Sequence, residues 1–484
     1  MAFTLIWPEL SLDVFLSLLL FTAHVVVLIR AITRPHRDPT SRIAWVAIIT
    51  LVPLLGIIAY FWLGEVTIGQ ARMNRIRAAE ARFSDATSNS PAPRAIDPNA
   101  AALFDLAHSI NGLQPVAGSR FELLPDSNSA IDALVRDIAA ARDHVHICFY
   151  IWLEDRNGMR VAEAVAQAAR RGVACRVIAD AVGSRAFIGS RHWQLMKQAG
   201  AQLTAALDDI PRLGHYAMGR IDLRNHRKIV VIDHRITYCG SQNCADPEFR
   251  IKARYAPWVD ILLRCTGPIA HQQQYLFLAT WVAETGMMPD LAPCPVDDEP
   301  GADGLAQIIG TGPTTRSHAM SDMFVACIYA ARAELFITTP YFVPDQAILN
   351  ALCAAPRRGV KTTLILPRNN DSRLVALASR SSYADLLASG ITLLEYIPGL
   401  LHAKTLTIDG SISLIGSANM DRRSLDLNFE NNLLIADRQT TQAIRARQQT
   451  YADQSRQVTD EEIRTQRLRT RLLQNTVGMM APVL

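Results

Sequence analysis

Two segments of the chain set a histidine, a lysine and an aspartate at one spacing and end on Gly-Ser-x-Asn. The first, LRNHRKIVVIDHRITYCGSQN at residues 223–243, holds His226, Lys228, Asp233, Ser241 and Asn243. The second, GLLHAKTLTIDGSISLIGSAN at residues 399–419, holds His402, Lys404, Asp409, Ser417 and Asn419. Lysine offers a point charge, asparagine an amide donor, and imidazole acts as nucleophile or general acid near neutral pH. Together they suit an anionic oxyacid, and phosphate fits best. A lone His-x-Lys would read as an ordinary surface pair; two copies with matching Asp and Gly-Ser-x-Asn make coincidence untenable.

Alternate residues of a strand share a face, so His226 and Lys228 point together, as do His402 and Lys404. In the second copy Asp-Gly divides two alternating apolar runs, which predicts a hairpin; Asp233-His234-Arg235 occupies the same turn in the first. Folded there, each Asn returns to its histidine, with midpoints at 234.5 between His226 and Asn243 and 410.5 between His402 and Asn419. The aspartates stay at the bend. Seven residues separate Asp233 from His226, on the order of 23 Å of extended strand, which favours a turn role for Asp233 and Asp409 over direct chemistry. Asp260 and Glu430, at similar places after the two hairpins, are better placed to orient the imidazoles.

The motif is the end of a longer repeat, its histidines at 226 and 402 lying 176 residues apart. HVHICFYIW (144–152), VAEAVAQAARRGV and CRVIAD in the first half answer to ELFITTPYF (334–342), ILNALCAAPRRGV and TTLILP in the second. Apolar β-branched runs separated by helical stretches predict an α/β layered fold, with a largely buried sheet in each half.

With 484 residues, 49% hydrophobic and 19% charged, the chain can bury a large core. A net charge of +4 suits an anionic surface without requiring nucleic acid. Eight cysteines without CxxC pairs argue against a disulfide framework or a cysteine zinc site, and read as buried thiols. Residues 43–63 form an uncharged run long enough to cross a bilayer, and residues 14–29 form a second, slightly short apolar run interrupted only by His24, so an N-terminal transmembrane helical hairpin is expected over a signal peptide. Arg30, Arg34, Arg37 and Arg42 between the runs place the loop in the cytoplasm by the positive-inside rule, but Arg72, Arg75, Arg77 and Arg82 pull the other way. Which side the site faces stays open. Residues 69–85 read as a helical stretch and 88–99 as a proline-rich linker. The expected division is an anchor at 1–65, an amphipathic segment and linker at 66–115, a first half at 116–295 and a second at 296–484. Arg422 and Arg423 could meet a headgroup or solvent; His215 reads as incidental, and Trp7, Tyr60 and Trp62 as interfacial aromatics.

HRKIVVID and HAKTLTID match the HxKxxxxD signature of the phospholipase D superfamily, and the duplicated pattern covers nearly everything beyond residue 116. TPYFVPD (339–345), GSANMDRRSLDLNFE (416–430) and the anchor resemble bacterial cardiolipin synthases. The resemblance implies two pseudo-twofold-related α/β/α halves forming one catalytic unit in a multi-pass protein of the bacterial inner membrane. It implies phosphatidyl transfer between two phosphatidylglycerol molecules, giving cardiolipin and glycerol with neither metal nor other cofactor. His226 would be the nucleophile and His402 the acid; Lys228, Lys404, Asn243 and Asn419, with Ser241 and Ser417, would bind the phosphate. The family also counts the motif aspartates among its active residues. Competing readings are a hydrolytic phospholipase D, a nuclease disfavoured by the mild charge, a phosphatidylserine synthase disfavoured by the anchor, and a non-enzymatic lipid binder.

Overall fold

The apolar β-branched runs of each half form one mixed sheet. In the computed structural model, which describes residues 12–34, 39–65, 72–79, 98–209, 222–289, 299, 302 and 304–480, the first half contributes β1 (Arg120–Leu123), β2 (His144–Phe149), β3 (Ala174–Asp180), β4 (Gln202–Ala206), β5 (Ile229–Ile232), β6 (Ile236–Gly240), β7 (Trp258–Val259) and β8 (Leu262–Thr266). The second contributes β9 (Leu305–Thr311), β10 (Glu334–Thr338), β11 (Phe342–Val343), β12 (Lys361–Pro367), β13 (Thr392–Tyr396), β14 (Leu400–Leu401), β15 (Thr405–Ile408), β16 (Ile412–Gly416), β17 (Met420–Asp421), β18 (Glu430–Ala436) and β19 (Ser455–Gln457).

The order β1-β8-β6-β5-β2-β3-β4 in the first sheet repeats as β9-β18-β16-β15-β10-β12-β13 in the second, with β19 added at the edge. In each, three strands run parallel and the motif hairpin is antiparallel to its neighbours. One face of each sheet packs on helices, among them Ser127–Ala140 and Arg156–Arg170 in the first half and Ala319–Ala330 and Gln346–Arg357 in the second. The other faces meet in a shared core, where Ile229 and Val231 of β5 cluster with Phe336 of β10 and Leu433 of β18. Helices Ile269–Thr285 and Arg438–Asp453 also contribute to that core, so both faces of each sheet are covered, as strands apolar on both faces require. Both halves lie in one compact unit, Ile68–Asp209 with Leu223–Ala481.

The hairpins form as the spacing predicts, with a half-residue difference. Val230 faces Tyr238 and Thr405 faces Ile415, so the bends centre on His234 and Gly410. Asp233, His234, Asp409 and Gly410 all take positive φ, and the Arg235 and Ser411 N–H groups close the turns on Ile232 and Ile408. That is type I′ geometry, whose twist matches paired strands.

The N-terminal helices form the other compact unit. Its α1 (Leu12–Thr33) is the one helix among the described residues long and apolar enough to cross a membrane. The run at 43–63, expected as a single span, is divided into α2 (Pro39–Leu51), α3 (Pro53–Ala59) and a π turn at Tyr60–Gly64. Pro53 causes the break: it lacks an N–H and drives the residue before it out of the helical region, and Val52 sits at φ −135°, ψ 73°. Val27 and Ala31 of α1 pack with Trp45, Ile49 and Tyr60. Of the described cysteines, all but the half-buried Cys353 are buried and none is disulfide-bonded. Trp7, Arg37, Arg82, His215 and most of the linker at 88–99 fall outside the described residues.

Candidate active site

Backbone pairing between the halves assembles the site. β14 runs parallel to β7, Leu401 facing Val259, and the His402 N–H donates to the Val259 carbonyl at 2.8 Å. The equivalent bridge joins Asn225 to Phe429, and the His226 N–H donates to the Phe429 carbonyl at 2.9 Å. A carboxylate follows each acceptor, so each histidine meets the acid of the opposite half. His226 Nδ1 lies 2.8 Å from Glu430 Oε2, and His402 Nδ1 lies 2.5 Å from Asp260 Oδ1. An ionised carboxylate only accepts, so each Nδ1 carries a proton, and Nε2 is left to attack from a neutral ring or to donate from a protonated one.

Both histidines, both lysines and Glu430 are buried. Lys228 Nζ donates to the His226 carbonyl at 2.7 Å and Lys404 Nζ to the His402 carbonyl at 2.6 Å. Lys228 also sits 5.3 Å from the centre of the Tyr150 ring, which packs edge-on to His226; Trp258 lies against His402. Burial lowers His226 to about 4 against the pull of Glu430, and also lowers His402 against that of Asp260. It lowers Lys228 to about 8 and, helped by repulsion from Lys228, Lys404 to about 7. For Glu430 and Asp260 burial acts upward, but their histidine and lysine partners outweigh it and hold both carboxyls below their ordinary range. The site thus presents a neutral His226, a His402 imidazole on which burial and Asp260 act in opposite directions, ionised carboxylates and lysines poised near neutrality.

In the second hairpin the Gly416 N–H donates to the Lys404 carbonyl at 3.4 Å, so the strand leading to Asn419 returns beside Lys404. Asn243 Oδ1 accepts from the Ile151 N–H at 3.3 Å; Asn419 Nδ2 donates to Ser424 Oγ at 3.2 Å, and its buried Oδ1 has no partner among the described residues. The serines are committed elsewhere. Ser241 Oγ donates to Asp260 at 2.6 Å, and Ser417 Oγ donates to Glu430. Each hydroxyl proton therefore supports a carboxylate, where the resemblance had it on the phosphate.

Asp233 and Asp409 are not brought to the imidazoles. Asp233 accepts from the N–H groups of Arg142, Asp143 and His144 at 2.8–2.9 Å, tying its turn to the start of β2. Asp409 does the same for Arg332, Ala333 and Glu334 at the start of β10. Arg422 lies 3.7 Å from Asp426.

Sequence reasoning missed three supports. Ser424 Oγ and Asn428 Nδ2 donate to Glu430 Oε1 at 2.8 and 3.3 Å. Asn431 clasps Lys228 across the halves, accepting from its N–H at 3.0 Å and donating to its carbonyl at 3.2 Å. All three lie in or next to the stretch 416–430; only the crossing of the halves gives them a role. A cavity of about 420 Å³ is lined by Asn225, Arg227 and Phe429 with Leu276 and Arg72, on the strand face opposite His226 and Lys228. Among the described residues no group of three or more His, Cys, Asp or Glu is set to hold a metal ion.

Comparison with known proteins agrees with this geometry. Residues 134–255 and 324–450 match the family described as cardiolipin synthase, PLD-like domain, and residues 23–65 match the phospholipase D-nuclease N-terminal family. Cardiolipin synthase A of Serratia proteamaculans (strain 568) is 38% identical over 413 residues, 83% of this chain and 84% of that protein. Cardiolipin synthase A of Salmonella arizonae is 38% identical over 432 residues, 87% and 88% of the two chains. The crystal structure of phosphatidylserine synthase from Haemophilus influenzae Rd KW20 covers 80% of this chain and all of that one at a TM-score of 0.54 and 13% identity, which is a likeness of fold. The apolar α1 overlaps the N-terminal match, in keeping with a membrane protein. A chain whose two halves cross to pair each HxK histidine with the other's carboxylate, and which aligns with these synthases over most of its length, belongs to the phospholipase D-like cardiolipin synthase family.

Proposed function

We propose that this phosphatidyltransferase uses phosphatidylglycerol as both donor and acceptor and works through a phosphohistidine. His226 Nε2 attacks the phosphorus of one phosphatidylglycerol; the bond to the headgroup glycerol breaks, and the leaving oxygen takes a proton from His402. His402 then removes a proton from the glycerol hydroxyl of a second phosphatidylglycerol, which attacks the phosphorus and releases His226. Cardiolipin and glycerol result. Lys228 and Lys404, with the amides of Asn243 and Asn419, hold the non-bridging oxygens as charge shifts. Ser241 and Ser417 keep the carboxylates in place, and Asp233 and Asp409 act on the backbone.

The paired, opposed histidine–carboxylate contacts carry the reading, because nucleophile and acid must flank the phosphorus from two sides. Unequal support of the carboxylates favours the assignment. Glu430 divides its charge among Ser417, Ser424, Asn428 and His226. Among the described residues Asp260 has Ser241 and a 2.5 Å contact to His402 as side-chain partners, so its charge bears chiefly on that imidazole. The first arrangement leaves a neutral nucleophile; the second favours an imidazolium acid.

For localisation we infer two passes through a bacterial inner membrane. Pro39–Leu51, Pro53–Ala59 and Tyr60–Gly64 follow one another closely enough to cross ~30 Å of hydrocarbon together. Cysteine labelling from each side tests this, and labelling of both flanks of α2–α3 from one side would refute it. The chemical test is product analysis with phosphatidylglycerol in vesicles. Cardiolipin with free glycerol is the expected outcome; phosphatidic acid would identify a hydrolase, and no turnover a lipid binder.

A further inference from the structure

The last described helix of the catalytic unit, Leu468–Met479, presents its apolar side outward. Gln474 and Val477 face the protein, and Gly478 fits against Ser381, where an added Cβ would approach Oγ to 2.6 Å. Leu468, Leu472 and Met479 are 69%, 59% and 77% exposed. A surface helix ordinarily buries such residues. Residues 464–480 also carry Arg464, Arg467, Arg469 and Arg471, all exposed, and no aspartate or glutamate.

The patch continues towards the site. The helix packs on Arg373–Ser381, where Leu374 is likewise exposed. Just before that helix, Asp371 pairs at 2.5 Å with Lys252. Lys252 belongs to the turn Arg250–Tyr255, whose Ile251 is exposed between basic neighbours. This turn leads directly to Trp258 and Asp260, which contact His402.

We infer that this face docks on an anionic phospholipid surface, with the leucines entering the acyl boundary and the arginines meeting lipid phosphates, so that the rim of the site lies at headgroup level. Exposed leucines beside arginines without acids match that interface in both polarity and charge. A second copy of the chain would instead set like-charged arginine clusters against each other across a twofold axis. The proposal goes beyond the reaction and its test reads contact rather than turnover.

The full-length protein, with Cys294→Ser and Cys353→Ser as background, is reconstituted in vesicles of phosphatidylcholine and phosphatidylglycerol and labelled with an environment-sensitive dye at Leu472→Cys or, as a control, at the exposed Gln449→Cys. The Leu472 position is expected to give blue-shifted emission and ~2-fold or greater quenching by brominated acyl chains relative to the control. The triple variant Arg467→Gln, Arg469→Gln, Arg471→Gln should weaken that quenching while leaving turnover of short-chain phosphatidylglycerol in detergent unchanged. Quenching equal to the control, or protection of Leu472 by a second copy seen as a doubled mass, would overturn the docking face. An inactive protein that is still quenched would sink the catalytic reading and leave this one standing.

Discussion

The two halves share a sheet order and a crossed site, yet each supports its chemistry differently. Glu430 accepts from three side-chain donors besides His226, whereas Asp260 has Ser241 besides His402. At the far ends of the sheets, the first half buries His144 and His146 where the second has Glu334 and Phe336, and bends through His234 where the second has Gly410. Duplication therefore preserved the histidines, their lysines and a serine-supported carboxylate on each, and relaxed the further donors around that carboxylate. The residues to vary are the ones in which the halves differ.

The largest expected effect separates the histidines. His226→Ala and His402→Ala should each lower kcat by ~10⁴-fold, since groups acting as a unit fail together. Only His402→Ala should accumulate a phosphatidyl group on the remaining histidine, read by mass mapping after rapid quench. Finding the adduct on His402 in the His226→Ala variant would reverse the assignment. The carboxylates come next. Glu430→Gln and Asp260→Asn should each cost ~10²-fold in kcat through loss of imidazole orientation. Glu430→Gln should in addition lower stability by ~2–3 kcal/mol in denaturant titration, because an amide nitrogen would face serine and asparagine donors. Equal stability losses would mean that the unequal networks do not matter.

The lysines set the alkaline limb. Lys404 stands at about 7 and Lys228 at about 8, so kcat/KM for phosphatidylglycerol should fall as pH rises through that range and the phosphate-binding charge is lost. The acid limb should follow His226, which gains a proton only towards about 4. Lys404→Gln should lower kcat/KM ~10-fold or more at neutral pH and flatten the alkaline limb between 7 and 8. An unchanged profile would remove Lys404 from phosphate binding.

Much of this was legible because alternation and duplication are strong signals. The shared face of His226 and Lys228 and the hairpin at Asp409-Gly410 followed from period-two patterning and turn chemistry. Asp260 and Glu430 could be named from their positions after the hairpins, but not their exchange between halves, since the β7–β14 pairing and the Asn225–Phe429 bridge are long-range contacts without a local pattern. For the same reason Asn431 was invisible: its partner Lys228 lies in the other half. The hydroxyls of Ser241 and Ser417 meet carboxylates 19 and 13 residues further along the chain, a pairing with no local sequence signal. The run at 43–63 reads as one span by length because membrane helices tolerate proline, and the structure divides it at Pro53.

A smaller effect belongs to the first half alone. His144 and His146 stack at 4.4 Å, His234 packs on His144, and His271 on His234. Gln274 lies within hydrogen-bond reach of both His144 and His146, and Arg176 meets His146 at 3.0 Å; Asp233 and Asp143 supply the nearby negative charge. Burial lowers His144 to about 4 and pushes His146 well down. The unfolded chain therefore binds protons below about 6.5 that the native state refuses. Their contribution to stability is complete above that pH and is lost as pH falls towards 4, by about 3 kcal/mol for His144. Denaturant midpoints against pH should show this slope and His144→Gln should reduce it; a slope unchanged by that substitution would mean other groups control the acid transition.

The motif aspartates mark where the halves are most alike, and here the expected catalytic effect is smallest. Each carboxylate receives three backbone N–H groups and each residue sits at φ +49°. Asparagine tolerates that backbone and keeps one acceptor, so Asp233→Asn and Asp409→Asn should cost ~1–2 kcal/mol of stability, with alanine costing more through strain at positive φ. Because neither carboxylate reaches an imidazole, kcat per folded molecule should change less than ~10-fold in either variant. Charge lost at the bend can reach the site only by letting β5 or β15 shift in register, which would appear as instability before it appeared as slow turnover. If Asp233→Asn kept its stability and lost as much activity as His226→Ala, the aspartate would have to act in the reaction, and the division between bend and site would fail in both halves at once.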